Sequence, residues 1–173
     1  MDGELGEIFL RFSIDKLSQL AGRIQACLGR LTSEQVWARG SENENAVGNL
    51  VLHLCGNVRQ WVGFGIAGWP DIRVREQEFA ARGGLNPQEL GERLDRAVQE
   101  AVSILRALPS ARLGDRTRVQ NYDLTVLEAI YHVVEHFAGH TGQILYATKQ
   151  MTHEDLGFYR HLSGPQPHGE TTP

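Results

Sequence analysis

Residues 122–150 read YDLTVLEAIYHVVEHFAGHTGQILYATKQ, a proline-free run in which Leu, Ile, Val and Ala recur at helical spacing. The pattern predicts one long helix over the whole stretch. It carries His132, His136 and His140, at i, i+4 and i+8. Side chains four residues apart share a helix face about 5–6 Å from one another, close enough to hold one ion. The outer two are separated by roughly 12 Å of helix rise, so all three cannot meet the same metal. One pair, completed from elsewhere in the chain, is the geometry to look for.

On a helical wheel the apolar face of this stretch centres on Leu127, Ile130, Val134, Phe137 and Ile144. His140 lies at the edge of that face beside Ala129 and Ala147, and His136 is one step further round. His132 points almost away from the core. The pair His136 and His140 therefore looks along a groove, and His132 looks mostly to water.

The rest of the chain supplies three more long amphipathic segments. Residues 8–28 carry Ile8, Phe9, Phe12, Leu17, Leu20, Ile24 and Leu28 at helical spacing. Thr32 and Gln35 form a capping-box start for a helical turn or two, with Trp37 inward. A second long helix is expected from Asn45, as N-cap, to about Phe64. Its polar stripe of Asn49, His53, Asn57 and Gln60 borders an apolar face. A third starts at Asn86-Pro87-Gln88-Glu89 and runs to Leu108. Thr125 and Glu128 make a further capping box, with Asp123 as the competing cap. Residues 65–85 and 109–121 are long connections. In the first, Arg73, Arg75, Glu76 and Glu78 alternate with few apolar partners on a crossover; Arg73, Arg75 or Glu76 could reach the site but read first as solvated charges. Leu156, Phe158, Tyr159 and Leu162 are expected to pack back on the helices. No strand is expected. Four long helices with two long connections predict an all-α four-helix bundle.

Composition narrows the function. A chain of 173 residues is most simply one domain, assigned to residues 1–163, with the Pro- and Gly-rich segment 164–173 as a disordered tail. A formal charge of −4, a pI near 6.0 and no basic stripe argue against nucleic-acid binding. Cys27 and Cys55 are far apart and form no CxxC, which suits free thiols in a reducing cytoplasm. The first residues lack the charge and apolar core of a signal peptide, and no apolar run is long enough to span a bilayer. The expectation is a soluble, cytoplasmic protein.

A third ligand for the HxxxH pair should come from another helix. His53 is the one other histidine within a long helix; His153, His161 and His168 fall later. Three imidazoles with open positions beside them make a catalytic rather than a structural pattern, since structural zinc is closed by four protein ligands. Cys55 sits about 200° round the helix from His53 and is excluded as a co-ligand. A histidine at a helix edge is ordinarily just a hydrogen-bonded residue. On physics alone, metal and non-metal readings both stay open.

Asn49-Leu50-Val51-Leu52-His53-Leu54, followed by Glu135-His136-Phe137-Ala138-Gly139-His140-Thr141-Gly142-Gln143-Ile144, resembles the DinB/YfiT-like superfamily. That pattern places a histidine in the second helix and HxxxH, often followed by x-Gly-Gln, in the fourth. The likeness extends from about Phe9 to Thr148. It implies an up-down-down-up bundle holding a nickel or zinc ion on His53, His136 and His140, with His132 outside the set, either exposed or packed beside a ligand. It also implies either metal-dependent hydrolysis or thiol S-transfer from a low-molecular-weight thiol such as bacillithiol or mycothiol. It implies no DNA binding.

Three neutral imidazoles would leave the ion its full +2 charge, which lowers the pKa of bound water toward about 7 or stabilises a thiolate. A hydrolase also needs a general acid or base within reach, and none is evident. Glu135 points about 100° away from His136. Asn57, one turn beyond His53, could hold a substrate, and Gln143 could orient a ligand, but neither is a base. The missing acid–base group favours thiol activation. Two other classes stay open: a metal-dependent small-molecule binding protein without turnover, and a helical dimerisation module with incidental histidines. For a homodimer, Trp61, Trp69 and the apolar C-terminal segment are the candidate interface.

Overall fold

Apolar side chains at i, i+3, i+4 and i+7 must share a buried face, and the elements follow from that demand. The computed structural model describes residues 3–160. The expected tail, 164–173 with His168, and His161 and Leu162 before it lie outside the described residues.

Helix α1 spans Gly3–Leu28 and starts earlier than its periodicity suggests. Leu10, Ile14, Leu17, Ile24 and Leu28 line its buried side, whereas Ile8 and Phe12 are 42% and 47% exposed. The reason is angular: nine residues at 100° put Ile8 opposite Leu17, and five put Phe12 about 140° from it. At Thr32 and Gln35 each side chain bonds the other's backbone N–H, at 3.1 and 3.0 Å, and a single 3-10 turn over Gln35–Trp37 follows. The Trp37 indole then donates to the Leu85 carbonyl at 2.7 Å.

Helix α2 spans Val47–Val58 and its N-cap is Ala46, not Asn45. An alanine cannot cap with its side chain. Asn49 does the work instead, accepting the Ala46 N–H at 3.1 Å from inside the first turn. The helix continues as a π turn over Arg59–Phe64, where the Gly65 N–H reaches back five residues to the Gln60 carbonyl. Within the connection expected to be irregular lies a short helix, α3, Arg75–Ala80. Helix α4, Pro87–Ala107, begins with the expected reciprocal cap of Asn86 and Glu89.

The expectation of no strand is wrong. β1 (Arg116–Val119) and β2 (Tyr122–Thr125) form an antiparallel hairpin that pairs Val119 with Tyr122. The first four residues of the opening stretch are therefore strand, and helix α5 covers Val126–Thr152. Alternation in β1 is masked because only Val119 of that strand is buried, while its arginines face water. Thr125 caps α5 with Glu128, as expected, and His153, with φ of 58°, ends it in the left-handed region.

Helix α1 packs against α4 and α5, and α2 packs against the same two, so the ring order is α1–α4–α2–α5. Gln25, near the end of α1, donates to the Gly91 carbonyl at the start of α4, so these two run antiparallel. Gly48, at the start of α2, lies against Trp37, whose indole bonds Leu85 just before α4, so these two helices start at the same end and run parallel. Trp61, late in α2, meets His132, early in α5, so α2 and α5 are antiparallel. The result is the up-down-down-up bundle. Leu17, Ile24, Leu54, Leu94, Ile130 and Phe137 fill its centre. After α5, Leu156 is buried and Phe158 packs on the core, while Tyr159 stays exposed beneath Arg23. No helix among the described residues is long and apolar enough to cross a membrane.

Candidate metal centre

Antiparallel contact between α2 and α5 brings their middles together, and His53 meets the HxxxH pair there. One nitrogen from each of His53, His136 and His140 lies within 4.8 Å of the others, close to the span bridged by metal–nitrogen bonds of about 2.0–2.1 Å. His53 and His136 face each other Nε2 to Nε2 at 2.9 Å. His53 is buried and the other two are half-buried, so the group has one wet side.

The ring orientations are fixed from behind. His53 Nδ1 lies 2.9 Å from Glu78 Oε2, and a carboxylate there can only accept. Arg73 Nη2 lies 3.0 Å from the same Nδ1, so the Arg73–Glu78 pair anchors that nitrogen and turns Nε2 toward His136. His140 Nδ1 likewise lies 2.8 Å from Gln143 Oε1, which leaves its Nε2 bare. Without an ion, the 2.9 Å contact between the two Nε2 atoms needs one proton between them. This donor set, three converging imidazoles of which two are anchored through Nδ1, fits a divalent cation.

Charge points the same way. Burial, followed by repulsion from His140, His53, His132 and Arg73, pushes the His136 imidazole down to about 3. Burial also lowers His140, partly offset by its bond to Gln143. Both rings are neutral near pH 7, the form that binds a metal.

Arg73 and Glu78 belong to this centre, although their sequence context reads as solvated. Their side chains are only 5% and 10% exposed. Arg73 clamps Glu78 with Nε on Oε1 at 2.7 Å and Nη2 on Oε2 at 2.8 Å, and its Nη1 donates to Gln60 Oε1 at 3.0 Å. Burial works to raise the Glu78 carboxyl, but the hydrogen bonds and charges of Arg73 and His53 outweigh it and hold the group below its ordinary value. Arg75 and Glu76 remain exposed. One signal was available: a glycine inside a helix often marks close approach. A Cβ at Gly56 would collide with the Glu78 carboxylate.

Helix α3 is itself held in place. Asn49 Nδ2 donates to the carbonyls of Glu78 and Ala81 at 2.8 and 2.9 Å, while Arg39 Nη2 bonds Asn49 Oδ1 and the Ala81 carbonyl. His132 is not turned to water. It lies between the Trp61 ring, centroids 4.1 Å apart, and His136, at 5.5 Å, outside the three-nitrogen group. Asn57 is buried and its Oδ1 has no hydrogen-bond partner among the described residues.

Over residues 4–167 the sequence matches the family described as "Protein of unknown function (DUF1572)". Two solved structures share the fold. One is a conserved protein from Enterococcus faecalis, with a TM-score of 0.69 and 16% identity over 83% of this chain and 97% of that one. The other is the DinB-like protein YjoA from Bacillus subtilis, with a TM-score of 0.65 and 15% identity over 85% of this chain and 96% of that one. No curated protein matches the sequence.

Proposed function

Since this chain belongs to the DUF1572 family, and with it to the DinB/YfiT-like superfamily, we propose that it is a divalent-metal-dependent enzyme acting on a thiol. His53, His136 and His140 would hold the ion, of the zinc or nickel kind. The ion would supply positive charge that favours the thiolate form of a low-molecular-weight thiol. The chain's own part is to hold three imidazoles in register and to anchor the Nδ1 atoms of His53 and His140 through Glu78 with Arg73 and through Gln143. The observation that carries this reading is the convergence of three imidazole nitrogens with the His53 ring anchored by a buried ion pair.

S-transfer is favoured over hydrolysis by what occupies Glu78. It is the one buried carboxylate among the described residues, and both its oxygens are engaged by Arg73 and His53. It orients His53 and is not free to activate water. In S-transfer the thiol gives its proton to solvent, the sulfur forms a bond to an electrophilic carbon, and the leaving group departs with the electron pair.

Metal analysis of tag-free protein tests the first half: about one equivalent of zinc or nickel is expected, and an unchanged content in His136→Ala would overturn it. A thiol-conjugation screen with electrophilic acceptors, run beside ester and amide hydrolysis, tests the second. Conjugation alone is expected. Hydrolysis alone would replace the S-transferase reading, and silence in both with a full metal site would leave a binding protein.

A further inference from the structure

On the far side of Glu78 from the histidines lies a cleft of about 490 Å³ between α2, the segment leading into α3, and α4. Arg59, Arg73, Arg93 and Arg96 line it. Four guanidinium groups around one cleft stand out in a chain whose net charge is −4. Arg73 is committed to Glu78 and Gln60. Arg59 rests over the Trp69 ring at 5.6 Å, and neither it nor Arg93 nor Arg96 forms a hydrogen bond or ion pair among the described residues.

Three carboxylates share the lining. Glu78 is held by Arg73 and His53, and Asp71 accepts from the Gln60 amide at 2.8 Å, which leaves Glu100 as the one without a hydrogen bond among the described residues. Four guanidinium groups against three carboxylates leave the cleft one positive charge in excess, and Arg93 and Arg96 have no hydrogen-bonded anion among the described residues. Its walls are also apolar: Leu52 and Ala97 lie inside, and Ile72 and Val74 stand at 67% and 49% exposure. Exposed aliphatic groups beside unpaired guanidinium groups suit a ligand with an anionic head and an apolar body.

The geometry points to this cleft as a binding site for a small molecule carrying a carboxylate or phosphate on an apolar body, with Arg93 and Arg96 reaching its anionic group. Guanidinium groups recognise both anions through paired N–H bonds, so the two share one chemistry. Cys55 also lines the cleft. Its thiol is pushed up to about 12 by burial, so the cleft binds without covalent capture. The site requires no metal and stands apart from the S-transferase reading.

Calorimetry on the metal-free full chain tests it with phenyl phosphate and 3-phenylpropionate, and with benzyl alcohol as the uncharged control. At least one anion should bind saturably and one-to-one, and the tighter of the two identifies the head group. Benzyl alcohol should not bind. Charge-assisted hydrogen bonds make the expected weakening on the order of tenfold in Arg93→Gln/Arg96→Gln. Arg106→Gln, on the same helix but off the cleft, should change nothing. Glu100→Gln should tighten binding, a gain that no folding defect can imitate. His136→Ala should bind as the parent does. Failure of both anions to saturate, equal weakening by Arg106→Gln, or loss of binding in His136→Ala would overturn the proposal, the last by moving the anion to the histidines.

Discussion

Glu78 shows how much one side chain decides here. Its carboxylate holds the His53 ring by Nδ1 and neutralises Arg73 in a space neither could occupy alone. Glu78→Gln keeps the shape and removes the charge. Outer partners of a metal-binding histidine typically govern 10–100-fold in affinity, so about that loss is expected in a competitive chelator titration. Stability should fall by about 3–5 kcal/mol, read by urea denaturation, because Arg73 is then buried without its counter-ion. A second prediction concerns acid. The folded His136 ring lies near 3, below an unfolded value of about 6.5, so below that pH the unfolded chain binds more protons. Its contribution to stability is full above about 6.5 and is lost as the pH falls toward about 3. Urea midpoints of metal-free protein should drop through this window, and the drop should be shallower in His136→Gln.

Helix starts are where elements were legible, because caps are local chemistry. Asn86 with Glu89 and Thr125 with Glu128 satisfy their own backbone donors and need no information from the rest of the fold. Replacing Thr125 by Ala should cost about 1 kcal/mol by denaturation. Asn45 and Asn49 were not separable in this way. Both are plausible near a helix start, but only Asn49 meets Arg39 and the carbonyls of α3. Asn49→Ala should therefore destabilise by roughly 2–3 kcal/mol, since buried donors lose their partners, while Asn45→Ala changes little. The π turn and α3 were illegible for a related reason. A regular 100° wheel cannot anticipate an extra residue per turn, yet that turn sets Trp61 against His132. Arg73, just before α3, and Glu78, within it, resemble surface charges until the bundle closes over them. The histidine set was legible because HxxxH has a fixed reach on one helix and His53 had no rival within another.

At the scale of the whole molecule, the ring order decides that α2 and α5 touch and that the site exists only when they do. The three nitrogens come from positions 53, 136 and 140, so the unfolded chain does not hold them together. Any ion bound there must stabilise the bundle by linkage, by about 2.7 kcal/mol at 100 times its dissociation constant. For a chain of this size that corresponds to a rise in Tm of roughly 5–10 °C. Phe137, fully buried beside His136, supplies the contrast. Phe137→Ala should lower the metal-free stability by about 3–5 kcal/mol through lost burial and a residual cavity. If that variant still folds, it should keep most of the metal-dependent increment, because the histidines remain. His136→Ala should do the reverse, with a small change in metal-free Tm and no response to zinc or nickel. Thermal scans of the three proteins with and without ion thus separate packing from ligation. A metal-dependent rise that survives in His136→Ala would place the ion elsewhere and remove the functional reason for joining these two helices.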